Sequence, residues 1–126
     1  HPTMDADAVA KSFVSHYYTI FDGGKATIPQ LAPLYRDSSM LTFESNNMVG
    51  PQQIIGKLLE MPWTAVQHRV TSVSAQPSGV PNALLVAVNG ELIIDQDQPI
   101  KFNQVWHLLQ EGNAFWIHND IFRLNY

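Results

Sequence analysis

The sequence contains no cysteine, which excludes a disulfide framework and any metal site built on thiolates. It also lacks a Gly-x-Ser-x-Gly motif, and the glycine pair in FDGGK does not have the spacing of a phosphate-binding loop. No apolar run approaches the length of a membrane-spanning helix. These absences argue against a cysteine or serine nucleophile, a nucleotide cradle and insertion into a membrane.

Positive charge is also scarce, with seven Lys and Arg residues against eleven Asp and Glu residues and a net charge of −4. The basic residues are scattered without forming a run, a balance that disfavours nucleic acid as a partner. The chain is 45% hydrophobic over 126 residues, which is enough to bury the core of one compact domain. We interpret residues 1–3, which precede Met4, as a cloning remnant and residues 4–126 as a single domain.

Apolar periodicity predicts helices in the first half of the chain. DADAVAKSFVSHYYTIFDGG, residues 5–24, repeats apolar residues at three- and four-residue steps, the spacing of one buried helix face. GPQQIIGKLLEMP, residues 50–62, predicts a second helix with Pro51 in its first turn and Pro62 at its end. Between them, TIPQLAPLY predicts a short helical turn and SMLTFES predicts a strand.

From Gln67 onward the pattern predicts four strands, in HRVTSVSAQP, ALLVAVNGELIID, KFNQVWHLLQEG and AFWIHNDIFRLNY. The pair Asn89-Gly90 is typical of a tight hairpin. However, the apolar residues on both sides of Gly90 keep one alternating register, which favours a single long strand with a kink or bulge at the glycine. QEGNA, residues 110–114, predicts the hairpin between the last two strands.

The order of the elements predicts an α+β domain in which a curved antiparallel sheet wraps against N-terminal helices. The strand KFNQVWHLLQEG is apolar on both faces, with Phe102 and Trp106 on one side and Val105 and Leu109 on the other. One face covers the helices, so the other needs a partner. We therefore expect a second copy of the sheet there, in an isologous homodimer.

The sequence offers residues for two kinds of reactive site. His107, His118 and Asp120 could approach one another across the last hairpin, but their apolar neighbours favour histidines of the core or interface over a metal site. An enzyme remains an alternative, because a cone-shaped α+β fold often encloses a pocket. The candidate acids, bases and oxyanion donors for such a pocket are Tyr17, Tyr18, Asp22, Asp37 and Asp120.

Acidic residues at two strand ends suggest a different kind of site. Asp95 and Asp97 are two residues apart in LIIDQDQP, so an extended chain projects them to the same side. Glu44 ends another strand beside Phe43, and EMPWTAV supplies apolar residues for a cavity. A solvated strand end would explain the acids alone. Acids around an apolar cavity instead predict a socket for a partner whose basic residues flank an aromatic one.

From Phe13 to Tyr126 the chain resembles the nuclear transport factor 2 family. The similar stretches occur in the order and spacing of the family: HYYTIFD, LYRDSSMLTFES, IIGKLLEMPWTAVQHRVT, QP, GELIIDQDQP, FNQVWHLL and NDIFRLNY. The resemblance implies a cone-like fold, a homodimer formed through the sheet, and a non-enzymatic carrier without a cofactor, a metal or catalytic residues. The carrier takes the GDP-bound GTPase Ran into the nucleus, binds FxFG repeats of nucleoporins, and is found in the cytoplasm and nucleus with enrichment at the nuclear pore.

The resemblance also implies site residues. Glu44, Asp95 and Asp97 correspond to the acids that pair with basic side chains of Ran. The cavity that receives an aromatic residue of Ran's switch region corresponds to Phe43, Met61, Trp63, Val66, His68 and Ile100. The candidate nucleoporin-binding residues are Ala6, Ile121 and Phe122.

Ketosteroid-isomerase-like and dehydratase-like enzymes share this fold, so an enzyme acting on a small apolar ligand in the cone cavity is the alternative function. Acids at the rim of the cavity favour the carrier. An interior aspartate with a tyrosine partner would favour the enzyme.

Overall fold

The computed structural model describes residues 5–125 of the chain, so the interpretation of residues 1–3 lies outside the described part. The helical elements are α1 (Ala6–Asp22), a 3₁₀ helix (Ile28–Leu34) and α2 (Gly50–Leu59). The strands are β1 (Tyr35–Phe43), β2 (Asn46–Val49), β3 (Val66–Pro77), β4 (Ala83–Ile94), β5 (Ile100–Glu111) and β6 (Ala114–Asn125). The predicted α+β class and all its predicted elements are confirmed.

Helix α1 begins where Asp5 caps it, since the Asp5 side chain accepts a hydrogen bond from the backbone N–H of Ala8 at 3.1 Å. Its buried residues recur at helical spacing, as the sequence predicts: Ala10, Val14, Tyr17, Tyr18 and Phe21. Helix α2 has Pro51 in its first turn and buries Ile54, Ile55 and Leu58. Both helices therefore offer one apolar stripe to the sheet.

The six strands form one sheet in the order β2-β1-β6-β5-β4-β3. All neighbours are antiparallel except β1 and β6, which run parallel. The predicted curved antiparallel sheet is confirmed, and the parallel pair of β1 with β6 is a detail that the sequence did not show. A hairpin can join only antiparallel neighbours, and the chain between β1 and β6 is long enough to bring them side by side in parallel. Strand β2, which the sequence did not predict, is a four-residue partner of β1.

Strand β4 runs unbroken through Gly90, which confirms the single long strand. The irregularity falls on its neighbour, because the pairing of β3 with β4 shifts between Val70 and Ser72, opposite Gly90. A Cβ atom at Gly90 would collide with the backbone oxygen of Arg69. Glycine is therefore required here so that the bulged strand can approach closely and the sheet can bend.

The two faces of the sheet differ in burial. On β5, Phe102, Trp106 and Leu108 are 1% exposed or less and pack into the core beneath α1. On the opposite face, Val105 is 39% exposed and its cross-strand neighbour Ile121 is 47% exposed. This outer face is therefore apolar without being covered. Within residues 5–125, none of the helices has the length and apolar character that a membrane crossing requires.

Candidate functional site

The predicted acids lie at one end of the sheet, which we call the open end. Strands β1, β4 and β6 finish there and strands β3 and β5 begin there, as the pairs Phe43–Phe122, Leu92–Ile100 and Val66–Ile94 show. Glu44 follows β1, and Asp95 follows β4. Strands β6 and β5 lie between these two positions, so the sheet separates their strands by about 14 Å at ~4.8 Å per strand.

An aromatic hollow lies between these acids, lined chiefly by Tyr17, Phe21, Phe43, Trp63, His68 and Phe122. The empty space at this site is about 310 Å³ when the part open to solvent is counted, but the volume accessible to water is only about 10 Å³. The hollow is therefore nearly filled by its own side chains. It offers a surface for insertion at its mouth but has little space for an enclosed small molecule.

The predicted cavity residues divide into two groups. Phe43, Trp63 and His68 line the aromatic hollow directly. Met61 and Val66, at 7% and 6% exposed, are instead part of the buried core. Ile100 is half-buried at the start of β5 and pairs with Leu92, which also lines the hollow. The structure thus brings three of the six predicted residues onto the wall, and their contact with a partner stays a prediction.

One wall of the hollow is a stack of phenylalanine rings from adjacent strands. The rings of Phe43 and Phe122 are 4.8 Å apart and nearly parallel, at 8°. Phe122 in turn stacks on Phe102, with centroids 5.5 Å apart. The parallel pairing of β1 with β6 sets Phe43 opposite Phe122. A pairing between segments so distant in sequence left no local signal.

Asp95 is exposed, but its carboxylate is bound to the segment that follows Trp63. Its Oδ1 accepts hydrogen bonds from the backbone N–H groups of Thr64, at 2.8 Å, and Ala65, at 2.7 Å. The N–H of Asp95 donates to the backbone oxygen of Ala65 at 2.8 Å. By contrast, the side chain of Asp97 is exposed and has no hydrogen bond to any residue in the described range. The two aspartates therefore differ in their local contacts.

Glu44 occupies the turn after β1 with a positive φ of 58°. Its N–H donates to the backbone oxygen of Phe122 at 2.9 Å, and its Oε1 accepts from the N–H of Leu124. Arg123 donates to the backbone oxygen of Glu44 at 3.2 Å. Regular pairing of β1 with β6 ends at this turn, and the Glu44 carboxylate adds one more contact to β6 there.

Asp22, which the sequence placed at the end of the first helix, holds His68 in the wall of the hollow. Asp22 Oδ1 lies 2.6 Å from His68 Nδ1, and its Oδ2 accepts from the backbone N–H of His68 at 2.8 Å. An ionised carboxylate can only accept, so Nδ1 of His68 carries the proton in this contact. The imidazole also stacks on Tyr18, with centroids 4.1 Å apart. Asp22 and His68 are 46 positions apart in the sequence, which explains why local patterns did not show this pair.

A buried hydrogen-bond network surrounds Asp120, which is 1% exposed, and shares Tyr17 and Gln104 with the lining of the hollow. Tyr35 donates to Asp120 Oδ2 and Gln104 Nε2 donates to Oδ1, both at 2.8 Å. Tyr17 and Tyr35 share a hydrogen bond of 2.7 Å, and Tyr18 donates to Gln104 Oε1 at 2.6 Å. The interior aspartate with tyrosine partners that would favour an enzyme is therefore present.

Burial raises the pKa of Asp120 from its usual 3.8 to about 6, while the hydrogen bonds from Gln104 and Tyr35 act in the opposite direction. The indole N–H of Trp106 makes no hydrogen bond of ordinary geometry within residues 5–125, and it lowers the pKa of Asp120 less than Gln104 and Tyr35 do. Burial, followed by the charge of Asp120, also raises the pKa of Tyr17 and Tyr35 well above their usual value. Neutral tyrosines therefore surround the aspartate.

The remaining candidates lie apart. Asp37 is exposed near the start of β1. The rings of His107 and His118 are 6.1 Å apart, but His107 Nε2 is 3.0 Å from Ser78 Oγ and His118 Nδ1 is 2.8 Å from the side-chain oxygen of Asn119. Among residues 5–125, no three or more metal-binding side chains are grouped to hold an ion.

The three candidate nucleoporin-binding residues are not brought together. Ala6 is half-buried in the first turn of α1. Ile121 is exposed on the outer face of the sheet, whereas Phe122 is 3% exposed and lines the hollow on the inner face. Consecutive strand residues point to opposite faces, so Ile121 and Phe122 cannot line one pocket on the same subunit.

Comparison with known proteins places this geometry in a family. The model of the Nuclear transport factor 2 (NTF2) domain matches residues 9–124. A protein of Oryza sativa subsp. japonica named Nuclear transport factor 2 is 48% identical, over 98% of this chain and 99% of the relative. The solved structure of Ntf2 from Cryptosporidium parvum is 40% identical, with a TM-score of 0.88 over 99% of this chain and 98% of the other.

The same fold also occurs in enzymes. A hexachlorocyclohexane dehydrochlorinase has a TM-score of 0.75 over 95% of this chain and 85% of the enzyme, but only 12% of the residues are identical. At that identity the likeness shows a shared fold and carries no activity across.

Proposed function

We propose, because the chain belongs to the nuclear transport factor 2 family, that it binds the GDP-bound form of Ran and carries it through the nuclear pore into the nucleus. The family confirms the resemblance found in the sequence, and the chain is a nuclear transport factor. The identity of the cargo and its nucleotide state go further than the family name. They rest on the chemistry of the open end.

The observation that carries the proposal is the aromatic hollow with acids at both sides of its mouth. Phe43 and Trp63 present aromatic surface, and Glu44, Asp95 and Asp97 place negative charge around it. A partner with basic side chains flanking an exposed aromatic residue would match both features at once. This fits a protein cargo better than a free small molecule, since the hollow has little enclosed space.

We also propose that the chain binds FxFG repeats of nucleoporins and is enriched at the nuclear pore while it moves between cytoplasm and nucleus. Phenylalanine side chains need shallow apolar pockets. Of the candidates Ala6, Ile121 and Phe122, Ile121 offers the most exposed apolar surface. A repeat-binding pocket on this face would be completed by a second subunit.

The uncovered outer face supports a homodimer. Val105 pairs with Ile121 on one side and with Ala87 on the other, and Leu85 is 40% exposed beside them. These residues make one apolar surface across β4, β5 and β6. A second copy of the same surface would bury it in an isologous contact.

One observation favours the enzyme alternative, namely Asp120 with a pKa of about 6 among tyrosines. That pKa suits a general base. However, both oxygens of Asp120 already accept hydrogen bonds, from Tyr35 and Gln104, and Asp120 is not among the residues lining the hollow. We therefore propose a non-enzymatic carrier, with Asp120 in a structural role.

A pull-down with immobilised protein and Ran loaded with GDP or GTP tests the carrier. We expect retention of the GDP form and loss of affinity as salt rises from low to physiological concentration, because charge pairs at an exposed rim are screened. Binding that is equal for both nucleotides, or independent of salt, would contradict the proposed docking. Turnover of a small apolar substrate would support the alternative.

A further inference from the structure

We propose that Glu44 and Asp95 are positioning residues, each carboxylate holding the backbone that carries one aromatic wall of the hollow. This inference rests on the proposed docking of a cargo at the open end. It adds that the same two side chains set both the charge of the rim and the shape of the hollow. Asp97, in contrast, contributes charge alone.

The wall that carries Trp63 depends on Asp95. Trp63 lies in the connection between α2 and β3, outside any helix or strand. Its ring is 6.4 Å from that of Phe21, and the backbone just after it is held by the two hydrogen bonds that Thr64 and Ala65 donate to Asp95 Oδ1. Charge-assisted bonds of this kind are stronger than neutral ones. Without them, this side of the wall is held by the backbone bond from the Asp95 N–H to the Ala65 oxygen and by strand pairing from Val66 onward.

The wall that carries Phe43 depends on Glu44 in a corresponding way. Strand β1 ends at Phe43, and Glu44 turns the chain with its positive φ. The Glu44 carboxylate then accepts the N–H of Leu124, two residues beyond Phe122. This contact fastens the end of β1 to β6 just where Phe43 stacks on Phe122.

The remaining oxygen of each carboxylate leaves room for a partner. Asp95 Oδ2 and Glu44 Oε2 have no hydrogen bond to any residue between 5 and 125. Each acid can therefore hold its wall with one oxygen and present negative charge with the other. A partner's basic group would meet a charge that is already fixed relative to the aromatic surface, which lowers the ordering cost of binding.

Paired substitutions separate position from charge. Asp95→Asn removes the charge but keeps an Oδ1 acceptor, whereas Asp95→Ala removes both. Asp97→Asn and Asp97→Ala form the matched control, because the Asp97 side chain holds no backbone group within the described chain. The dissociation constant for Ran-GDP, measured by titration calorimetry, should be at least about fivefold larger for Asp95→Ala than for Asp95→Asn. The two Asp97 variants should bind equally.

A second measurement needs no partner. Hydrogen exchange of single backbone amides, followed by NMR, should be faster at Thr64 and Ala65 in Asp95→Ala but not in Asp95→Asn. The amide of Val88, in the middle of β4, is the control for general loss of stability. For Glu44, exchange of the Leu124 amide should be faster in Glu44→Ala but not in Glu44→Gln. This pair replaces the Asp95 pair if Asp95→Ala does not fold.

The outcomes separate this inference from the proposed function. If the wild type does not bind Ran-GDP, the proposed function fails, and the exchange rates still decide whether the carboxylates hold the walls. Equal exchange at Thr64 and Ala65 in both Asp95 variants overturns the inference. Altered exchange with equal affinity for Ran-GDP also overturns it, since the contacts would then be local and would not position the docking surface.

Discussion

Carboxylates lie near aromatic side chains both at the open end and in the interior, and the two regions use them differently. At the open end, Asp95 is exposed and gives one oxygen to the backbone of Thr64 and Ala65. In the interior, Asp120 is 1% exposed and both its oxygens accept hydrogen bonds, from Tyr35 and Gln104. The acid at the open end thus keeps an oxygen for a partner, and the interior acid does not.

The difference shows that an acid beside a tyrosine is not by itself evidence for catalysis. A raised pKa marks a group that burial disfavours in its charged form, and structural networks also produce such shifts. What separates the two is a free atom that a ligand can reach. That criterion supports the proposals that the open end recognises the partner and that the Asp120 network has a structural role.

Removing the interior acid Asp120 should give the largest effect that tests the contrast between the interior and the open end, namely a loss of stability. Asp120→Ala leaves the Tyr35 hydroxyl and the Gln104 amide without their acceptor in the core, and it opens a cavity. We expect a loss of about 4 kcal/mol in the free energy of unfolding, measured in urea. Asp37→Ala, at an exposed acid, should change stability by no more than about 0.5 kcal/mol. A similar small change at Asp120 would mean that the network contributes little.

The pH dependence of stability gives a second test of the interior acid. Its pKa in the folded protein, about 6, is above the usual 3.8, so the folded state binds the proton more tightly than the unfolded state. The stabilising contribution is therefore fully present below pH 3.8 and is lost as the pH rises through about 6.

The difference between these two values corresponds to about 3 kcal/mol at 1.36 kcal/mol per pH unit. Urea unfolding of the wild type and Asp120→Asn at several pH values should show the wild type losing stability relative to the variant between pH 4 and 7. A constant difference would contradict the raised pKa. Comparing the two proteins cancels the titration of the exposed acids they share.

The opposite pattern is expected at the open end, where charge should affect binding more than stability. The double variant Asp95→Asn/Asp97→Asn should weaken Ran-GDP binding by about 1–2 kcal/mol, roughly tenfold, at physiological salt. Its free energy of unfolding should stay within about 0.5 kcal/mol of the wild type, because both groups are exposed and Asp95→Asn keeps the Oδ1 acceptor for Thr64 and Ala65. Calorimetric titration and urea unfolding measure the two quantities. A variant that lost stability but not affinity would reverse the assignment of the two regions.

The sequence predicted the elements that show themselves in local periodicity. The α1 and α2 stripes follow helical spacing, and the unbroken register of β4 across Gly90 identified one strand where a dipeptide rule favoured a hairpin. When one face of a helix or strand is buried, apolar residues recur at the spacing of that element, and this spacing can be seen within a short stretch of sequence. The resemblance to the family then singled out Glu44, Asp95 and Asp97 as acids that bind a partner, and that role stays a prediction.

What the sequence could not predict are contacts between distant segments. Tyr35 and Asp120 are 85 residues apart and belong to strands whose parallel pairing has no local signature. The contact of Asp22 with His68 and that of Asp95 with Ala65 depend likewise on where the sheet brings its ends. Composition shows that an acid is present, but only tertiary structure shows which of its oxygens is free.

A substitution at Asp22 should have the smallest effect but separates the two regions best, because Asp22 is intermediate between the buried Asp120 and the exposed acids of the open end. Its side chain is 22% exposed, it fixes His68 in the wall of the hollow, and it also joins the end of α1 to β3. Asp22→Asn keeps an acceptor for one of the two contacts, so we expect a loss of about 1 kcal/mol in stability and about a threefold loss in Ran-GDP affinity.

Unfolding in urea and calorimetric titration measure the two losses, with Asp7→Asn, an exposed acid in the first turn of the same helix, as the control. A change in stability alone would assign Asp22 to the interior network. A change in affinity alone would assign it to the open end. If both change together, the carboxylate that orients His68 is a link between the packing of the core and the shape of the docking surface.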